Sequence, residues 1–267
     1  MDNRKIGVFD SGLGGLTVVR AMEELLPAES IVYFGDIARL PYGSKSKETI
    51  TEFSHQIMRF LLQHDVKAVI VACGTASSNA LEELQSTYDL PIMGVVEPGA
   101  RAAAKATHSG RVGVTGTEAT IRSGAYERLL QLEDKQTEVY AKACPLFVPL
   151  VEEGWFDDSI TAQVITRYLA EIKENQVDTL VLGCTHYPLL RTLIQKEMGE
   201  NVTLINPSRA VVEELRAYLQ ENQMQSSTQQ GQYEFYVSDS TDKFQAFGRK
   251  VLEIPSLTVQ KVNIEKY

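Results

Sequence analysis

Short runs of aliphatic and β-branched residues alternate with amphipathic stretches along almost the whole chain. These runs predict β-strands at residues 6–9, 31–34, 68–72, 92–96, 112–114, 138–140, 180–182 and 202–205. Apolar residues recur at helical spacing between them, most clearly at residues 17–26, 47–64, 158–175 and 188–198. The alternation predicts an α/β fold of largely parallel sheets flanked by helices. Ligands of such sheets bind beyond the carboxyl ends of the strands.

One local unit occurs twice. Residues 66–73 and 177–184 are aliphatic runs that end in a small residue and then a cysteine, which is Cys73 in the first copy and Cys184 in the second. An amphipathic stretch precedes each run, so the repeated unit is a helix, a strand and a cysteine. The repeat predicts two pseudo-symmetric lobes, each with a thiol at the tip of an equivalent strand.

The character of the chain changes near residues 97–100 and again near residues 206–208. We interpret these points as crossings between the lobes. The first lobe is then residues 1–97 plus 207–267 and carries Asp10 and Cys73, and the second is residues 98–206 and carries Cys184 and His186. In the C-terminal segment, a polar stretch at 225–232 predicts an exposed loop, followed by a strand at 233–237 and a helix at 241–252.

The composition excludes several classes of function. The chain has 267 residues, enough for one large α/β domain or two of ordinary size. Its 35 acidic and 26 basic residues give a net charge of -9, which argues against nucleic acid as a partner. No apolar run approaches the roughly 20 residues that span a bilayer, and no signal sequence precedes the first predicted strand. We therefore expect a soluble, cytoplasmic protein without a membrane partner.

Three cysteines, an odd number without an export signal, predict free thiols. Cys144 lacks the strand-tip setting and is interpreted as a small, partly buried hydrophobic residue. A zinc site would draw on Cys73, Cys184 and His186, but the CxxC and HxxxH spacings are absent, so no metal is predicted. The same absence disfavours a redox pair. A cysteine protease or acyl transferase would use Cys184 with His186 and leave Cys73 unexplained.

An acid/base pair of thiols explains both strand tips. One thiolate removes a proton from a carbon while the opposite thiol delivers a proton to the other face, which is the chemistry of a racemase or an epimerase. Each thiol needs a group that tunes its protonation, and the candidates are Asp10 and His186. Asp10 could instead cap the following helix, and His186 could be a structural residue near a helix start. Both alternatives stay open at this point.

Hydroxyl groups and backbone N–H groups near predicted helix starts provide anchors for a small anion, because helix N-termini favour carboxylates. These anchors are Ser11, Thr75, Thr117, Thr120, Thr185 and the turn at residues 41–44. A dicarboxylic or amino-acid anion fits such a lining. For any single Ser or Thr taken alone, helix capping is the favoured interpretation over ligand binding.

Over nearly its whole length the chain resembles the cofactor-independent glutamate racemases of the aspartate/glutamate racemase superfamily. The matching segments are residues 7–16, 35–36, 41–43, 72–73, 75–77, 113–114, 116–117, 120, 123–126, 144–145, 148–149 and 182–190. As an ordered set they are far more specific than any single segment. The resemblance implies two α/β lobes with the active site between them.

The resemblance also implies an activity and roles for particular residues. Members of the family interconvert L- and D-glutamate without PLP or metal. By analogy Cys73 handles the α-proton of the D-isomer with Asp10 assisting, and Cys184 handles that of the L-isomer with His186 assisting. Glu152 matches a glutamate that family members hold near the second thiol. The predicted substrate-binding residues are Asp10, Ser11, Pro41, Tyr42, Gly43, Cys73, Gly74, Thr75, Thr117, Thr120, Cys184, Thr185 and His186.

Further implications of the resemblance concern biology and partners. The family supplies D-glutamate for bacterial peptidoglycan, and therefore serves cell-wall biogenesis and cell shape. Its members are usually homodimers. Some are reported to inhibit DNA gyrase, so gyrase is a partner by family analogy only, and no residue of this chain encodes that role.

Gly74 departs from the family pattern, which has asparagine after the first cysteine. An asparagine amide can bind a substrate carboxylate, whereas glycine offers only its backbone. An aspartate racemase, a racemase of another substrate or a weakened variant therefore stay as alternatives. Superfamily decarboxylases keep only one of the two thiols, which disfavours them. A nucleotide-binding loop at residues 12–15 is disfavoured because Thr17 stands where G-x-G-x-x-G requires its third glycine.

Overall fold

The structure is a computed structural model that describes all 267 residues, and its ten strands form two parallel sheets. The strands are β1 (Lys5–Asp10), β2 (Ile31–Gly35), β3 (Val66–Val71), β4 (Ile92–Gly94), β5 (Arg111–Gly116), β6 (Glu138–Ala143), β7 (Thr179–Leu182), β8 (Thr203–Ile205), β9 (Tyr233–Val237) and β10 (Val259–Lys261). One sheet has the order β10-β9-β2-β1-β3-β4 and the other the order β6-β5-β7-β8. The predicted α/β fold with two parallel sheets is confirmed.

Twelve α-helices accompany the sheets. They are α1 (Leu16–Leu25), α2 (Lys47–Leu61), α3 (Gly74–Asn79), α4 (Leu81–Thr87), α5 (Val96–Ala106), α6 (Glu118–Arg122), α7 (Ala125–Glu133), α8 (Phe147–Glu152), α9 (Ser159–Glu174), α10 (Arg191–Met198), α11 (Pro207–Glu221) and α12 (Thr241–Leu252). None of them is both long enough and apolar enough to cross a bilayer.

Local sequence explains these helices well, as α9 illustrates. The side chain of Asp158 accepts a hydrogen bond from the Ile160 backbone N–H at 2.7 Å and so caps the first turn. Ile165, Leu169 and Ile172 recur at helical spacing and are buried. They form the apolar stripe that packs on the second sheet.

Two predicted elements differ from the structure. The strand predicted at residues 92–96 was wrong at its end, because β4 stops at Gly94 and Val96 begins α5. Pro98, in the first turn of α5, has a φ angle already suited to a helix start. The helix predicted at residues 188–198 begins as a 3-10 helix at Tyr187 and becomes α-helical only at Arg191. Strand β10 was not predicted, since its three residues carry no clear alternation.

The first sheet takes its strands from residues 5–94 and 233–261, and the second from residues 111–205. Helix α11 packs on both α5 and α1 and so lies between the two sheets. Helices α5 and α11, which lie at the two predicted boundaries, pack on each other, so the packing does not divide the chain at these points. The lobe boundaries at residues 97/98 and 206/207 stay a prediction.

A buried ion pair joins four segments at the amino end of the first sheet. Lys67 Nζ on β3 lies 2.7 Å from Glu29 Oε2, and both side chains are almost fully buried. The same ammonium donates to the carbonyl oxygens of Asp2 at 2.5 Å and Met224 at 2.6 Å. The pair therefore has its remaining donors satisfied, which a buried charge requires.

We expect Lys67→Met to lower the free energy of unfolding by about 3–5 kcal/mol, because the Glu29 charge is then buried without a partner. Urea denaturation followed by circular dichroism measures the change. The double variant Lys67→Met, Glu29→Leu should recover most of the loss. Equal stability of the single and double variants would show that the unpaired charge is not the cause.

Candidate active site

Two thiols lie at the carboxyl ends of equivalent central strands. Cys73 follows β3 with one residue between, and Cys184 follows β7 in the same way. Both are free and buried, with 4% and 8% of their surface exposed. They line one cavity of about 430 Å³, a volume suited to a small molecule. Loops that follow strands of both sheets contribute residues to the cavity wall.

Twelve of the fourteen predicted site residues line this cavity, and Asp10 and Thr120 do not. The complete lining is Ser11, Leu40, Pro41, Tyr42, Gly43, Ser44, Cys73, Gly74, Thr75, Thr117, Glu118, Pro145, Val148, Pro149, Glu152, Glu153, Cys184, Thr185, His186 and Lys243. Both exceptions are buried behind it, each hydrogen-bonded to a lining residue.

Cys73 is held as a protonated thiol on the first side of the cavity. Its Sγ donates to Ser11 Oγ at 3.4 Å and accepts from the Ala76 backbone N–H at 3.5 Å. Burial raises the pKa of Cys73 to about 12, and the nearby Asp10 carboxylate acts in the same direction. At neutral pH this thiol is ready to donate a proton rather than to accept one.

Asp10 ends β1 and lies beneath both thiol loops. Its Oδ1 accepts from the Gly12 backbone N–H at 2.8 Å, and its Oδ2 accepts from Thr185 Oγ1 at 3.3 Å. Burial raises the pKa of this carboxyl group. Asp10 does not cap the following helix, because Gly15 is the N-cap residue of α1 and no side chain caps it. The capping alternative for Asp10 was therefore wrong.

A chain of contacts leads from the second thiol to solvent. Cys184 Sγ lies 3.7 Å from His186 Nδ1, and His186 Nε2 lies 3.3 Å from Glu152 Oε1. The imidazole and carboxylate form an ion pair rather than a well-aligned hydrogen bond. Glu152 Oε2 in turn lies 3.0 Å from Lys243 Nζ at the cavity mouth.

Contacts between Cys184, His186, Glu152 and Lys243 shift the pKa values of His186 and Glu152. Burial alone would lower the pKa of His186, but its contacts with Cys184 and Glu152 raise it to about 10. Burial alone would raise the pKa of Glu152, but His186 and Lys243 bring it below its usual value. At neutral pH the imidazole is therefore cationic and Glu152 anionic, so a positive charge lies beside the Cys184 sulfur.

Hydroxyl groups connect the two sides of the cavity. Thr75 Oγ1 and Thr117 Oγ1 are 2.8 Å apart, and Thr117 Oγ1 is 3.0 Å from Thr120 Oγ1. Thr117 also caps α6 by accepting from the Thr120 backbone N–H at 3.2 Å. For this residue the capping and lining interpretations therefore both hold. The hydroxyl of Tyr42 donates to Asp36, so Tyr42 meets the cavity with its ring and backbone.

Known proteins resemble this chain in sequence and in fold. Residues 6–215 match the family model described as Asp/Glu/Hydantoin racemase. The chain belongs to this racemase family. A glutamate racemase from Geobacter metallireducens is 46% identical over 263 residues, which are 98% of this chain and 97% of that protein. The predicted resemblance to glutamate racemases is confirmed, as is the prediction of an isomerase.

Solved structures of family members superpose closely on the racemase. Glutamate racemase from Bacillus anthracis has a TM-score of 0.95 at 38% identity and covers 98% of each chain. Glutamate racemase from Francisella tularensis, solved in complex with D-glutamate, has a TM-score of 0.93 at 39% identity and covers 100% of each chain. These likenesses confirm the two-lobe α/β fold.

Gly74 brings the two thiol loops of the racemase into direct contact. A Cβ atom added at Gly74 would lie 2.5 Å from the backbone carbonyl oxygen of Gly183, which no real Cβ contact allows. The obstacle is backbone, so a side chain here would need the β3 and β7 tips to move apart. In this racemase the position provides close approach between the sheets, where the family's asparagine would provide an amide.

Lys243 is a basic lining residue of the racemase that sequence reasoning missed, as it also missed the acidic Glu118 and Glu153. It lies on α12, 243 − 190 = 53 residues beyond the end of the last matching segment, and no spacing links it to Glu152. Cys144 is fully buried rather than partly buried as predicted, and it does not line the cavity. No group of three or more His, Cys, Asp or Glu side chains is arranged to hold a metal ion.

Proposed function

We propose that this racemase interconverts L- and D-glutamate by proton transfer between Cys73 and Cys184, without a cofactor. One observation carries the proposal: two thiols at equivalent strand tips line the same cavity, each with its own ionisable neighbour. Glutamate as substrate is supported by full-length relatives named glutamate racemase and by the D-glutamate complex of one of them.

In the L-to-D direction the Cys184 thiolate takes the α-proton, and the C–H bond electrons pass into the adjoining carboxyl group. The Cys73 thiol then gives its proton to the opposite face of the α-carbon. Cys184 ends as a thiol and Cys73 as a thiolate, so the reverse reaction uses the same groups with exchanged roles. A protonated Cys73 and a cationic His186 are the states that the reaction needs when it begins from L-glutamate.

The ionisable neighbours tune each half of this exchange. His186 stabilises the Cys184 thiolate by its positive charge, and Glu152 maintains that charge. Asp10 serves the Cys73 side, where its buried carboxyl group can take up a proton as Cys73 becomes a thiolate. Hydroxyl and backbone groups of Ser11, Thr75 and Thr185 bind the substrate's charged groups.

The same proposal includes the biological setting. The product D-glutamate is supplied in the cytoplasm for peptidoglycan, and so serves the cell wall and cell shape. The functional unit is a homodimer, and the two lobes divide at residues 97/98 and 206/207 to close over the substrate. These statements rest on the resemblance to glutamate racemases and on the repeated helix, strand and cysteine unit.

Gly74 gives a prediction of its own. We expect Gly74→Ala to lower kcat about 10- to 100-fold, because a Cβ atom pushes against the Gly183 carbonyl and misaligns the thiol loops. Gly74→Asn should be no better, despite restoring the family residue. Steady-state racemisation kinetics measure both. An asparagine variant as active as the parent would show that the loops separate without cost.

The experiment that tests the function uses the purified protein with L-glutamate and, separately, L-aspartate, followed by circular dichroism without added cofactor. The proposal predicts loss of the L-glutamate signal to zero and little change for aspartate. Activity on aspartate alone would show that Gly74 marks another substrate. Inactivity on both, with folded protein, would overturn the proposed activity.

A further inference from the structure

Helix α12, which belongs to the C-terminal segment, presents one face to the loops of the second sheet. Lys243, Phe247 and Lys250 recur at helical spacing on this face. The Phe247 ring centroid lies 6.3 Å from that of His186. The Lys250 ammonium approaches Gly154, where an added Cβ atom would lie 3.1 Å from Nζ. The helix therefore contacts the proton-handling side of the cavity at several points.

The strongest of these contacts is the Lys243–Glu152 ion pair. Lys243 is 55% exposed, whereas Glu152 is only 12% exposed. Each carboxylate oxygen of Glu152 has one cation, His186 on the cavity side and Lys243 on the solvent side. A carboxylate held at both ends cannot rotate away from the imidazole without losing one contact.

We infer that Lys243 is a positioning residue that holds Glu152 against His186 from the opposite lobe. Through this contact α12 fixes the orientation of the imidazole beside Cys184. The inference rests on the proposed function, since it adds a residue that positions the groups around Cys184 for their proposed proton transfer. Lys243 lies at the mouth of the cavity and acts through Glu152 rather than on the reacting carbon.

The charged groups around this site set the sign of the expected changes. Glu152 faces His186 and Lys243, with Glu153 beside it in the cavity wall and Lys250 near Gly154. His186 faces Cys184 and Glu152, and the charge of Asp10 also acts on it. Removing a cation near His186 by itself raises the imidazole pKa. If Lys243 positions Glu152, its removal instead lowers that pKa, because the imidazole loses its carboxylate.

The test compares Lys243→Met, Lys243→Arg and Lys250→Met. We expect Lys243→Met to lower kcat about tenfold with little change in KM, less than the roughly 100-fold that a 1 Å misplacement of reacting groups costs. Lys243→Arg should recover most of the rate, because it keeps the charge. Lys250→Met removes a cation from the same helix face without touching Glu152, and should match the parent.

NMR titration of the His186 ring, one of only four histidines, provides a readout that needs no turnover. The inference predicts a lower imidazole pKa in Lys243→Met and an unchanged one in Lys250→Met. A raised or unchanged pKa would overturn it, as would a higher KM with kcat intact, which would mean that Lys243 binds substrate instead. An inactive parent protein would refute the proposed function, while the titration would still judge the positioning role.

Discussion

Replacing either Cys73 or Cys184 with alanine is expected to lower racemisation by at least ~1,000-fold in both directions. Both thiols are needed in every turnover, since one removes a proton and the other delivers one. The two thiols line the same cavity and are both buried. Polarimetry or circular dichroism on each enantiomer measures the loss.

Cys144→Ala is the matched control, because this third thiol is buried and away from the cavity. A β-chloro analogue of glutamate separates the two single variants further. Loss of its α-proton expels chloride, so only one base is required. Cys73→Ala should still eliminate HCl from the L-analogue, and Cys184→Ala from the D-analogue. Racemisation that survives either substitution would contradict the two-base assignment.

His186→Gln and Asp10→Asn are each expected to lower kcat/KM about 100-fold. The two variants should differ in which enantiomer of glutamate shows the larger kinetic isotope effect. Loss of His186 removes the cation beside Cys184 and slows removal of the α-proton from L-glutamate. Loss of the Asp10 carboxyl group slows the corresponding step on D-glutamate. Because the two enantiomers have equal energy, kcat/KM must fall equally in both directions.

The two variants are therefore distinguished by the primary kinetic isotope effect on the racemisation of α-deuterated L- and D-glutamate. His186→Gln should enlarge the effect for L-glutamate, and Asp10→Asn for D-glutamate. In the parent protein the imidazolium persists up to its pKa of about 10, so activity that depends on it should fall as the pH rises through that value. His186→Gln should lose this alkaline limb. Identical isotope effects in both variants would refute the pairing of each thiol with its neighbour.

The strands and both thiols were predictable because a parallel sheet buried on both faces leaves a local signal. In residues 66–71 every position except Lys67 is aliphatic, and the cysteine follows where the strand must end. Since ligands gather at that edge, most of the cavity lining could be predicted from residues just beyond the strands. The roles of individual residues came from the resemblance rather than from their spacing.

Contacts between distant segments could not be predicted in this way. Lys243 reaches Glu152 only because α12 folds back onto the first sheet, and neither residue has a local feature that indicates the other. Gly74 appears in the sequence as the loss of an amide, whereas its contact with the Gly183 carbonyl depends on how closely the sheets approach. Asp10 ends β1 and Thr120 lies in the first turn of α6 after β5, yet their side chains are buried behind the cavity wall.

The most direct test of the two-base account is the early time course in D₂O, with L-glutamate and D-glutamate as separate substrates. The product of each reaction should carry deuterium at the α-carbon, while the remaining substrate stays protonated, because different thiols serve the two faces. Mass spectrometry after chiral separation gives both values. Product that keeps the substrate's own α-proton would mean that a single base serves both faces, and would contradict the account.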